Sequence, residues 1–258
     1  MPLRPRHDSP NTAEELIAYC ARVSNPKNQN NKTTAPKLLK FLIKHKHWSP
    51  FELANMCVEI KTSRAIAAQI LRHRSFSFQE FSQRYSEATE FEDTQLRRRA
   101  EKNRQSSEEE IDPKLTDNYK NIPASVAVRD YLWKGKALYD ELIEEGVAKE
   151  CARMVLPLAT ETTMYMNGTV RSWIHYIQLR TEENTQKEHR DIANEIKDIF
   201  ISEFPDTSEA LGWEKKIDAS TVKFEDRYDE VKMDKTKFGV GDLHDGAADW
   251  ENEGGSLK

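Results

Sequence analysis

A short basic and aromatic segment holds the residues of this chain that are best suited to bind an anion. In RHRSFSFQEFSQRYSEA, residues 72–88, four cationic or near-cationic side chains lie among hydroxyls, amides and carboxylates: Arg72, His73, Arg74 and Arg84. Arginine suits phosphate because its planar, permanently charged guanidinium donates two parallel hydrogen bonds. On an extended strand, Ser82 and Arg84 would face the same side and could hold a phosphate together. The alternative is a solvated basic surface whose cations only complement a helix dipole.

The basic segment is predicted to lie at a junction of elements. Alternating apolar and polar residues after Pro50 predict a strand over 51–62. Ser63 is placed to cap a helix that runs from about 64 to 72. The segment therefore begins at the C-terminal end of a helix and continues into a turn and a strand.

Helical patterns occupy much of the remaining chain. Apolar residues at helical spacing predict helices over 12–24, with Thr12 and Glu15 as a capping box, and over 36–45. Further helices are predicted over 123–155 with a break near Gly146, over 169–180, and over 184–204. Few strands and many helices favour an α/β fold, in which a central, mostly antiparallel sheet is packed with helices.

Two stretches differ from this pattern. Residues 92–112 are rich in charge and almost free of aliphatic side chains, which predicts a surface excursion with Arg97, Arg98 and Arg99 on a solvated face. Residues 214–258 hold twelve acidic and eight basic side chains, and so supply most of the net charge of −5. We therefore predict one main domain over 1–213 and an acidic, weakly ordered tail over 214–258.

Composition excludes several broad classes of protein. The 258 residues can bury a substantial core, and their net negative charge argues against a domain that coats nucleic acid. No window approaches the roughly 18 apolar residues of a membrane-spanning helix, and the N-terminal stretch lacks the apolar core of a signal peptide. Three widely separated cysteines, Cys20, Cys57 and Cys151, predict reduced thiols that serve packing in a cytoplasmic protein.

Histidines add little evidence for a site of their own. His45 and His47 form a His-x-His pair, but no acidic or cysteine partner stands at ligand spacing, so we predict no metal site. His189 has no partner that the sequence suggests, and we expect it at the surface.

The basic segment matches the signature of an enzyme family. RHRSFSFQEFSQR contains Arg-His-Arg, seven residues, Ser, one residue and Arg, and so resembles the signature of flavin-dependent thymidylate synthases. Three other segments resemble parts of that family in the family's order: HWSPFE (47–52), ARMVLP (152–157) and TVRSWIHYIQLR (169–180). The resemblance extends from about residue 12 to about residue 205, and the tail matches nothing in the family.

This resemblance implies an enzyme with several ligands. It implies a homotetramer that holds FAD and dUMP at its subunit interfaces. The reaction would be the reductive methylation of dUMP to dTMP, in which 5,10-methylenetetrahydrofolate gives the carbon and NADPH reduces the flavin. No enzyme cysteine is needed as nucleophile, which agrees with the packing roles predicted for the three cysteines. The partners would then be small molecules and further copies of the chain, with neither a nucleic acid polymer nor a membrane.

The resemblance also implies site residues, position by position. The residues implied to bind dUMP are Gln69, Arg72, Glu80, Phe81, Ser82, Gln83, Arg84, Arg153 and Arg180. The residues implied to bind FAD are His47, Ser49, Arg72, His73, Arg74, Glu80, Thr169, Val170, Arg171 and His175. Many relatives have Asn at the position of Thr169 or of His175.

Arg180 has the most specific implied role. It matches the arginine that activates the uracil by favouring ionisation at N3, where a guanidinium stabilises the negative charge that grows on the ring. On an ideal helix, Arg171 and His175 share a face, and Arg180 lies roughly 180° from Arg171. Either the helix ends before Arg180, or the two groups serve different ligands or the sites of different subunits.

Two other hypotheses remain open from the sequence. A non-catalytic nucleotide- or RNA-binding protein would use the arginines and aromatics for phosphate contact and stacking. A degenerate relative would keep the tetramer without turnover, although the complete signature argues against it.

Overall fold

The structure, a computed structural model, describes residues 10–87, 90–103, 106–116 and 119–214. The predicted tail over 214–258 lies outside the described residues, except for Glu214, and its order stays a prediction. The described helices are α1 (Ala13–Ala21), α2 (Ala35–Lys44), α3 (Arg64–Ile70), α4 (Ala124–Glu144), α5 (Lys149–Ala152), α6 (Val170–Arg180), α7 (Lys187–Glu203) and α8 (Pro205–Leu211). Short 3₁₀ helices cover Pro26–Asn28, Ser49–Glu52 and Arg153–Val155. The described strands are β1 (Asn55–Ser63), β2 (Phe76–Glu80), β3 (Arg97–Arg99), β4 (Ser107–Glu110), β5 (Lys114–Leu115), β6 (Ile122–Pro123) and β7 (Glu161–Thr169).

A three-stranded antiparallel sheet forms the centre of the fold. The strand order is β1–β7–β2, so that β7, which comes last in the chain, lies between the other two. Asn55 of β1 is paired with Thr169, and Phe76 of β2 is paired with Gly168. The prediction of an α/β fold with an antiparallel sheet is confirmed. Strand β7 was not among the predicted strands, although it is the strand that joins the other two.

Helices cover one face of this sheet and form the core with it. Residues on β1 alternate between buried and exposed, which gives the sheet one apolar and one polar face. Trp173, Tyr176 and Phe200 are fully buried and pack in the core that β1 and β7 line. Trp173 donates a hydrogen bond from Nε1 to the carbonyl of Met56 at 2.9 Å, which links α6 to β1. The first turn of α6 is therefore anchored against the sheet.

The predicted helix signals at Thr12 and Gly146 are present, the capping box only in part. The Thr12 hydroxyl accepts from the backbone N–H of Glu15 at 3.1 Å, which is one of the two bonds of a capping box. The Glu15 carboxylate accepts from the N–H of Asn11 instead of that of Thr12. The predicted break near Gly146 is also present, since α4 ends at Glu144 and Gly146 has φ of +81°. That left-handed conformation favours glycine.

Two predictions about strand ends are wrong. The strand predicted over 51–62 begins only at Asn55, because Ser49–Glu52 is a 3₁₀ helix with Pro50 in its first turn. The strand after the basic segment ends at Glu80, so Ser82 and Arg84 do not alternate along a strand. They lie in a turn in which the N–H of Arg84 approaches the Ser82 hydroxyl at 3.4 Å.

Other corrections concern burial. Cys57 and Cys151 are exposed and Cys20 is half-buried, so only Cys20 is consistent with the predicted packing role. Cys57 lies on β1, and the alternation of that strand turns it to the polar face. The charged excursion contains a short hairpin of β3 and β4. Within it, the side chain of Arg97 is only 13% exposed, which contradicts a fully solvated face.

Within the described part of the chain, every helix is too short or too polar to traverse a lipid bilayer. Among the same residues, no three His, Cys, Asp or Glu side chains are grouped so that they could hold a metal ion.

Candidate nucleotide and flavin site

The basic segment meets the C-terminal end of α6 through one side-chain hydrogen bond. The chain leaves α3 through a further turn, in which the N–H of Arg72 donates to Gln69 and that of His73 donates to Ile70. This turn directs His73 inward, where its Nε2 accepts a hydrogen bond from Nε of Arg180 at 2.9 Å. Two residues that are 107 positions apart in the chain are thereby brought into contact.

The protonation state of His73 follows from this contact. Because Nε of arginine can only donate, Nε2 of His73 must be unprotonated and the ring proton lies on Nδ1. Burial lowers the pKa of His73 to about 4, and electrostatic repulsion from the nearby Arg180 and His175 lowers it further. At neutral pH the ring is thus an uncharged acceptor that holds Arg180 by its Nε.

A buried tyrosine–histidine pair lies beneath this contact. The Tyr176 hydroxyl and Nε2 of His189 are 3.1 Å apart, and both side chains are fully buried. The Tyr176 ring packs against the His73 ring at a centroid distance of 4.9 Å and an interplanar angle of 75°. Burial raises the pKa of Tyr176 and lowers the pKa of His189 to about 4, so the pair is neutral. The expectation that His189 lies at the surface is wrong.

Two arginines of the basic segment are exposed cations without compensation. Arg72 and Arg74 are exposed and form no ion pair or side-chain hydrogen bond with any residue that the structure describes. On the same helix end, Gln69 donates from Nε2 to Oε1 of Gln186 at 2.7 Å. Uncompensated guanidinium groups beside an organised polar cluster suit a phosphate-bearing ligand.

Glu80 and Gln83 flank the end of β2. The Glu80 carboxylate accepts from the Thr162 hydroxyl at 3.1 Å and pairs with Arg64 at 3.3 Å. Gln83 is buried, yet its Nε2 has no hydrogen-bond partner among the described residues. A buried amide without a partner is costly, and a ligand acceptor would satisfy it. Phe81, between them, is 37% exposed.

Glu150 contacts both Arg84 and Arg153 through different groups. Its carboxylate pairs with Arg84 at 3.1 Å, and its backbone carbonyl accepts from Nε of Arg153 at 3.3 Å. Both side chains of the ion pair are more than half exposed, so the pair contributes little to stability. A dianionic phosphate could therefore displace this carboxylate from Arg84 at small cost.

A cleft of about 490 Å³ opens on the other side of α6. Its lining residues are Trp48, Glu52, Ser75, Arg171, Ser172, Ile174, His175 and Gln178. Arg171 forms an ion pair with Glu52, and the Ser172 hydroxyl donates to the carbonyl of Ser75 at 3.3 Å. A cleft of this size, with aromatic, cationic and hydroxyl groups, can hold part of a large planar cofactor.

The residues implied to bind FAD divide into two groups around this cleft. Arg171 and His175 line it, whereas His47 and Ser49 are exposed and adjoin its Trp48 in the chain. Two more members of the set, Thr169 and Val170, have structural roles. The Thr169 hydroxyl caps α6 by accepting from the N–H of Ser172 at 3.2 Å. Val170 is fully buried in the core and does not line the cleft.

The geometry removes one of the two alternatives left by the sequence for Arg171 and Arg180. Helix α6 continues through Arg180, so it does not end before that residue. Arg171 pairs with Glu52 on the cleft side, while Arg180 contacts His73. The alternative that remains is that the two arginines serve different ligands or the sites of different subunits, and it stays a prediction.

Several residues that shape this region carry no functional signal of their own in the sequence. Tyr176 and His189 lie on two helices, and Gln186 contacts a glutamine 117 positions away. The only available signal was their proximity in sequence to Arg180, since hydrogen bonds between helices leave no local pattern. A second cleft, of about 540 Å³, lies between residues 90–94 and α4 and contains none of the predicted site residues.

Comparisons with known proteins agree on a family. The family model described as thymidylate synthase complementing protein matches residues 7–206. A probable flavin-dependent thymidylate synthase of Paramecium bursaria Chlorella virus 1 is 54% identical over 211 residues, which cover 81% of this chain and 95% of the relative. A flavin-dependent thymidylate synthase of Synechocystis is 52% identical over 205 residues, covering 79% of this chain and 92% of the relative.

A solved structure supports the fold. The crystal structure of the UMP/dUMP methylase PolB from Streptomyces cacaoi, bound with 5-Br dUMP, superposes with a TM-score of 0.63 at 24% identity, over 78% of this chain and 91% of that one. At this identity the likeness concerns the fold alone. The match of the family model over most of the chain, and two relatives at more than half identity, show that this chain belongs to the thymidylate synthase complementing protein family, the family of the flavin-dependent thymidylate synthases.

Proposed function

We propose that this protein makes dTMP by the reductive methylation of dUMP, with FAD as cofactor, 5,10-methylenetetrahydrofolate as carbon donor and NADPH as reductant. The observation that carries the proposal is the hydrogen bond between Arg180 and His73. It joins the arginine that resembles the family's uracil-activating residue to the centre of the Arg-His-Arg signature. Relatives at 52% and 54% identity bear the name of this activity.

dUMP would be held by cationic, polar and acidic side chains. Arg72 supplies an uncompensated charge for the phosphate, while Ser82, Gln83 and Arg84 in the turn after β2 supply a hydroxyl, an orphaned amide and a guanidinium. Arg153 adds a further guanidinium, and its Nε donates to the backbone carbonyl of Glu150, the residue that pairs with Arg84. The proposed dUMP site also includes Gln69, Glu80, Phe81 and Arg180.

Arg180 would act on the uracil ring. Its Nε is engaged by His73, and no other hydrogen bond of its side chain to the described residues is present, so both terminal nitrogens can face a ligand. A guanidinium that faces N3 and O2 stabilises the negative charge developing there, which makes C5 more nucleophilic. Because His73 fixes the guanidinium before the substrate binds, little reorganisation is needed during the reaction.

The residues present fit a flavin dinucleotide. Arg72 and Arg74 offer two exposed guanidinium groups for its diphosphate, and the cleft beside Arg171 and His175 offers an aromatic and polar wall. His47, His73, Ser49, Glu80 and Thr169 complete the set proposed from the resemblance, together with Val170, whose buried side chain would support the flavin site from the core. Bound FAD would supply the hydride chemistry that amino-acid side chains lack.

The arrangement supports sites built from more than one subunit. Candidate ligand groups lie on two sides of α6, and Arg180 and Arg171 contact different partners. A homotetramer with interface sites would let one chain's cleft complete another chain's nucleotide pocket. Free, separated cysteines support a cytoplasmic location for this enzyme.

A binding protein for single-stranded RNA is the second candidate. The exposed Arg72 and Arg74 lie in a segment that also contains Phe81 and the 78% exposed Tyr85, which is a combination that stacks bases and contacts phosphates. It predicts colourless protein, affinity for polymers and a steep loss of binding with salt.

The visible spectrum and turnover of the purified protein test the proposal. We expect absorbance of oxidised flavin at roughly 450 nm, bleaching by NADPH without oxygen, and dTMP formation when dUMP and methylenetetrahydrofolate are present. Arg180→Ala should keep the flavin and lower the rate of dTMP formation by about a hundredfold or more. Arg190→Ala is the matched control, since Arg190 donates to the carbonyl of Glu183 and lies outside the site.

Two outcomes would count against this function. Protein that binds no flavin and forms no dTMP would contradict it, and tight, salt-sensitive RNA binding by that protein would favour the second candidate. Near-normal turnover of Arg180→Ala would remove Arg180 from the mechanism. Arg84→Ala should weaken dUMP binding more than flavin binding, and an equal loss of both would mean that Arg84 is structural.

A further inference from the structure

A chain of hydrogen bonds connects the charged hairpin to Gln69. Nη2 of Arg97 on β3 donates to Oε1 of Glu188 at 2.6 Å. The other carboxylate oxygen, Oε2, accepts from Nε2 of Gln186 at 3.0 Å. Oε1 of Gln186 then accepts from Nε2 of Gln69 at 2.7 Å. This series of hydrogen bonds links the hairpin, the start of α7 and the end of α3, which are three parts of the sequence without a common motif.

The arginine end of this chain is held firmly. The Arg97 side chain is 13% exposed, and its Nε donates to the Ser107 hydroxyl at 2.9 Å. Its Nη1 lies 3.3 Å from both oxygens of Gln95. Burial tends to raise the pKa of Glu188, but hydrogen bonds from its own backbone, Arg97 and Gln186 hold that pKa below its ordinary value. Glu188 is therefore a carboxylate, with both oxygens in use.

The two charged groups determine the direction of every bond in the chain. A guanidinium can only donate and a carboxylate can only accept, so Gln186 must turn its NH₂ group toward Glu188. The carbonyl oxygen of Gln186 then faces Gln69, so Gln69 must donate to it from its own NH₂ group. The free end of the Gln69 amide is consequently the carbonyl oxygen Oε1, a pure acceptor.

We propose that Arg97, Glu188 and Gln186 are positioning residues that present the Gln69 carbonyl oxygen to a hydrogen-bond donor of dUMP. This inference rests on the proposed function, in which Gln69 belongs to the dUMP site one turn before His73. The donors that dUMP offers are the 3′-hydroxyl of the deoxyribose and, before the ring ionises, N3–H of the uracil. The Arg97 segment, which the sequence suggested to be only a solvated face, thus acts in substrate recognition.

A single isosteric substitution tests the donor-to-acceptor direction of these hydrogen bonds. In Glu188→Gln, the new amide accepts from Arg97 and turns its NH₂ group toward Gln186. Gln186 and then Gln69 must rotate, so that Gln69 presents an NH₂ group to the donor of dUMP. We expect the Kd for dUMP, measured by calorimetry, to rise roughly tenfold or more while flavin content is unchanged. Glu109→Gln is the matched control, because Glu109 pairs with Arg98 in the same hairpin.

A second substitution provides a rescue that a merely structural role would not produce. In Gln69→Glu alone, a carboxylate oxygen faces the carbonyl of Gln186, and dUMP binding weakens. In the double variant with Glu188→Gln, the rotated Gln186 donates to the new carboxylate, whose second oxygen accepts from dUMP. The double variant should bind dUMP more tightly than the product of the two single losses predicts.

The ligand donor and the amide orientation are measured separately. If the donor is the 3′-hydroxyl, 2′,3′-dideoxyuridine monophosphate binds equally to wild type and Glu188→Gln; if it is N3–H, this analogue shows the same loss as dUMP. Without ligand, hydrogen exchange of the Gln69 side-chain NH₂, followed by NMR on glutamine-labelled protein, should be slow in wild type and fast in Glu188→Gln.

The outcomes separate the inference from the proposed function. If the wild type and Glu109→Gln bind dUMP and Glu188→Gln binds it equally well, the inference is overturned while the function stands. Strictly multiplicative losses in the double variant would also overturn it. Absence of dUMP binding in the wild type would contradict the proposed function, and the substrate role of Gln69 would fail with it.

Discussion

At the scale of single residues, the central feature is how Arg180 is held. One nitrogen, Nε, donates to a neutral histidine, which leaves the terminal fork of the guanidinium for a ligand. Lysine has a single ammonium group and could not satisfy His73 and a uracil edge at once in a fixed plane. His73 in turn packs against the buried pair of Tyr176 and His189, so the orientation of the arginine depends on residues beneath the site.

The two histidines with lowered pKa values predict a pH dependence of stability. His73 and His189 have pKa values of about 4 in the folded protein, whereas an unfolded histidine has about 6.5. Between these values the unfolded chain binds protons that the folded chain does not. The free energy of unfolding therefore falls as pH decreases from about 6.5 to 4, by at most about 1.4 kcal/mol per pH unit for each histidine.

His189→Gln isolates one of these contributions. Glutamine keeps a polar partner for the Tyr176 hydroxyl but does not titrate, so the decline in stability between pH 6.5 and 4 should be shallower than in wild type. Urea unfolding at pH 7, 6 and 5 measures the slope in both proteins. Equal slopes would mean that His189 is already charged in the folded protein or is accessible to water.

At the scale of elements, α6 organises the site because its two ends serve different purposes. Its first turn is capped by Thr169 and anchored by Trp173, while its last residue is Arg180. The strand before it, β7, leads directly into the cap, so the position of the helix follows from the centre of the sheet. Gly168 of β7 leaves room for the Phe76 side chain of the paired strand β2, since a Cβ at position 168 would lie 2.4 Å from the ring of Phe76.

The cap and cofactor roles of Thr169 can be separated by substitution. Thr169→Ala removes the acceptor for the N–H of Ser172 and should lower the free energy of unfolding by about 1 kcal/mol. Thr169→Asn, which retains a capping oxygen, should remain within a few tenths of a kcal/mol of wild type. Flavin affinity is measured in parallel. A loss of flavin in both variants, with unchanged stability, would show that the hydroxyl serves the cofactor and not the helix.

At the scale of the whole molecule, the proposed assembly predicts recovery of activity by mixing. If Arg180 of one subunit and Arg153 of another complete the same site, a tetramer formed from Arg153→Ala and Arg180→Ala chains contains some sites with both arginines. Random mixing after unfolding and refolding should restore about a quarter of the wild-type activity. Each variant refolded alone is the control. Activity that stays at the level of the single variants would place both arginines in a site within one chain.

Much of this protein is encoded in local pattern. The helix boundaries near Thr12 and Gly146, and the fold class, follow from capping chemistry, glycine conformation and apolar periodicity, which act over a few residues. The candidate anion site also follows from one segment, because three arginines and a histidine in close spacing keep their chemistry in any fold. The position of Ser82 and Arg84 was predicted wrongly, since strand length depends on pairing partners.

Other features exist only because distant segments pack together. The neutral state of His73, the burial of His189 and the direction of the Gln69 amide each depend on a hydrogen bond or on burial supplied by another element. Strand β7 is central because β1 and β2 both pair with it, which its own residues do not reveal. Residue types thus specify which chemistry is available to this chain, whereas tertiary contacts set charge states, hydrogen-bond directions and the partners of each arginine, because these depend on distance and desolvation.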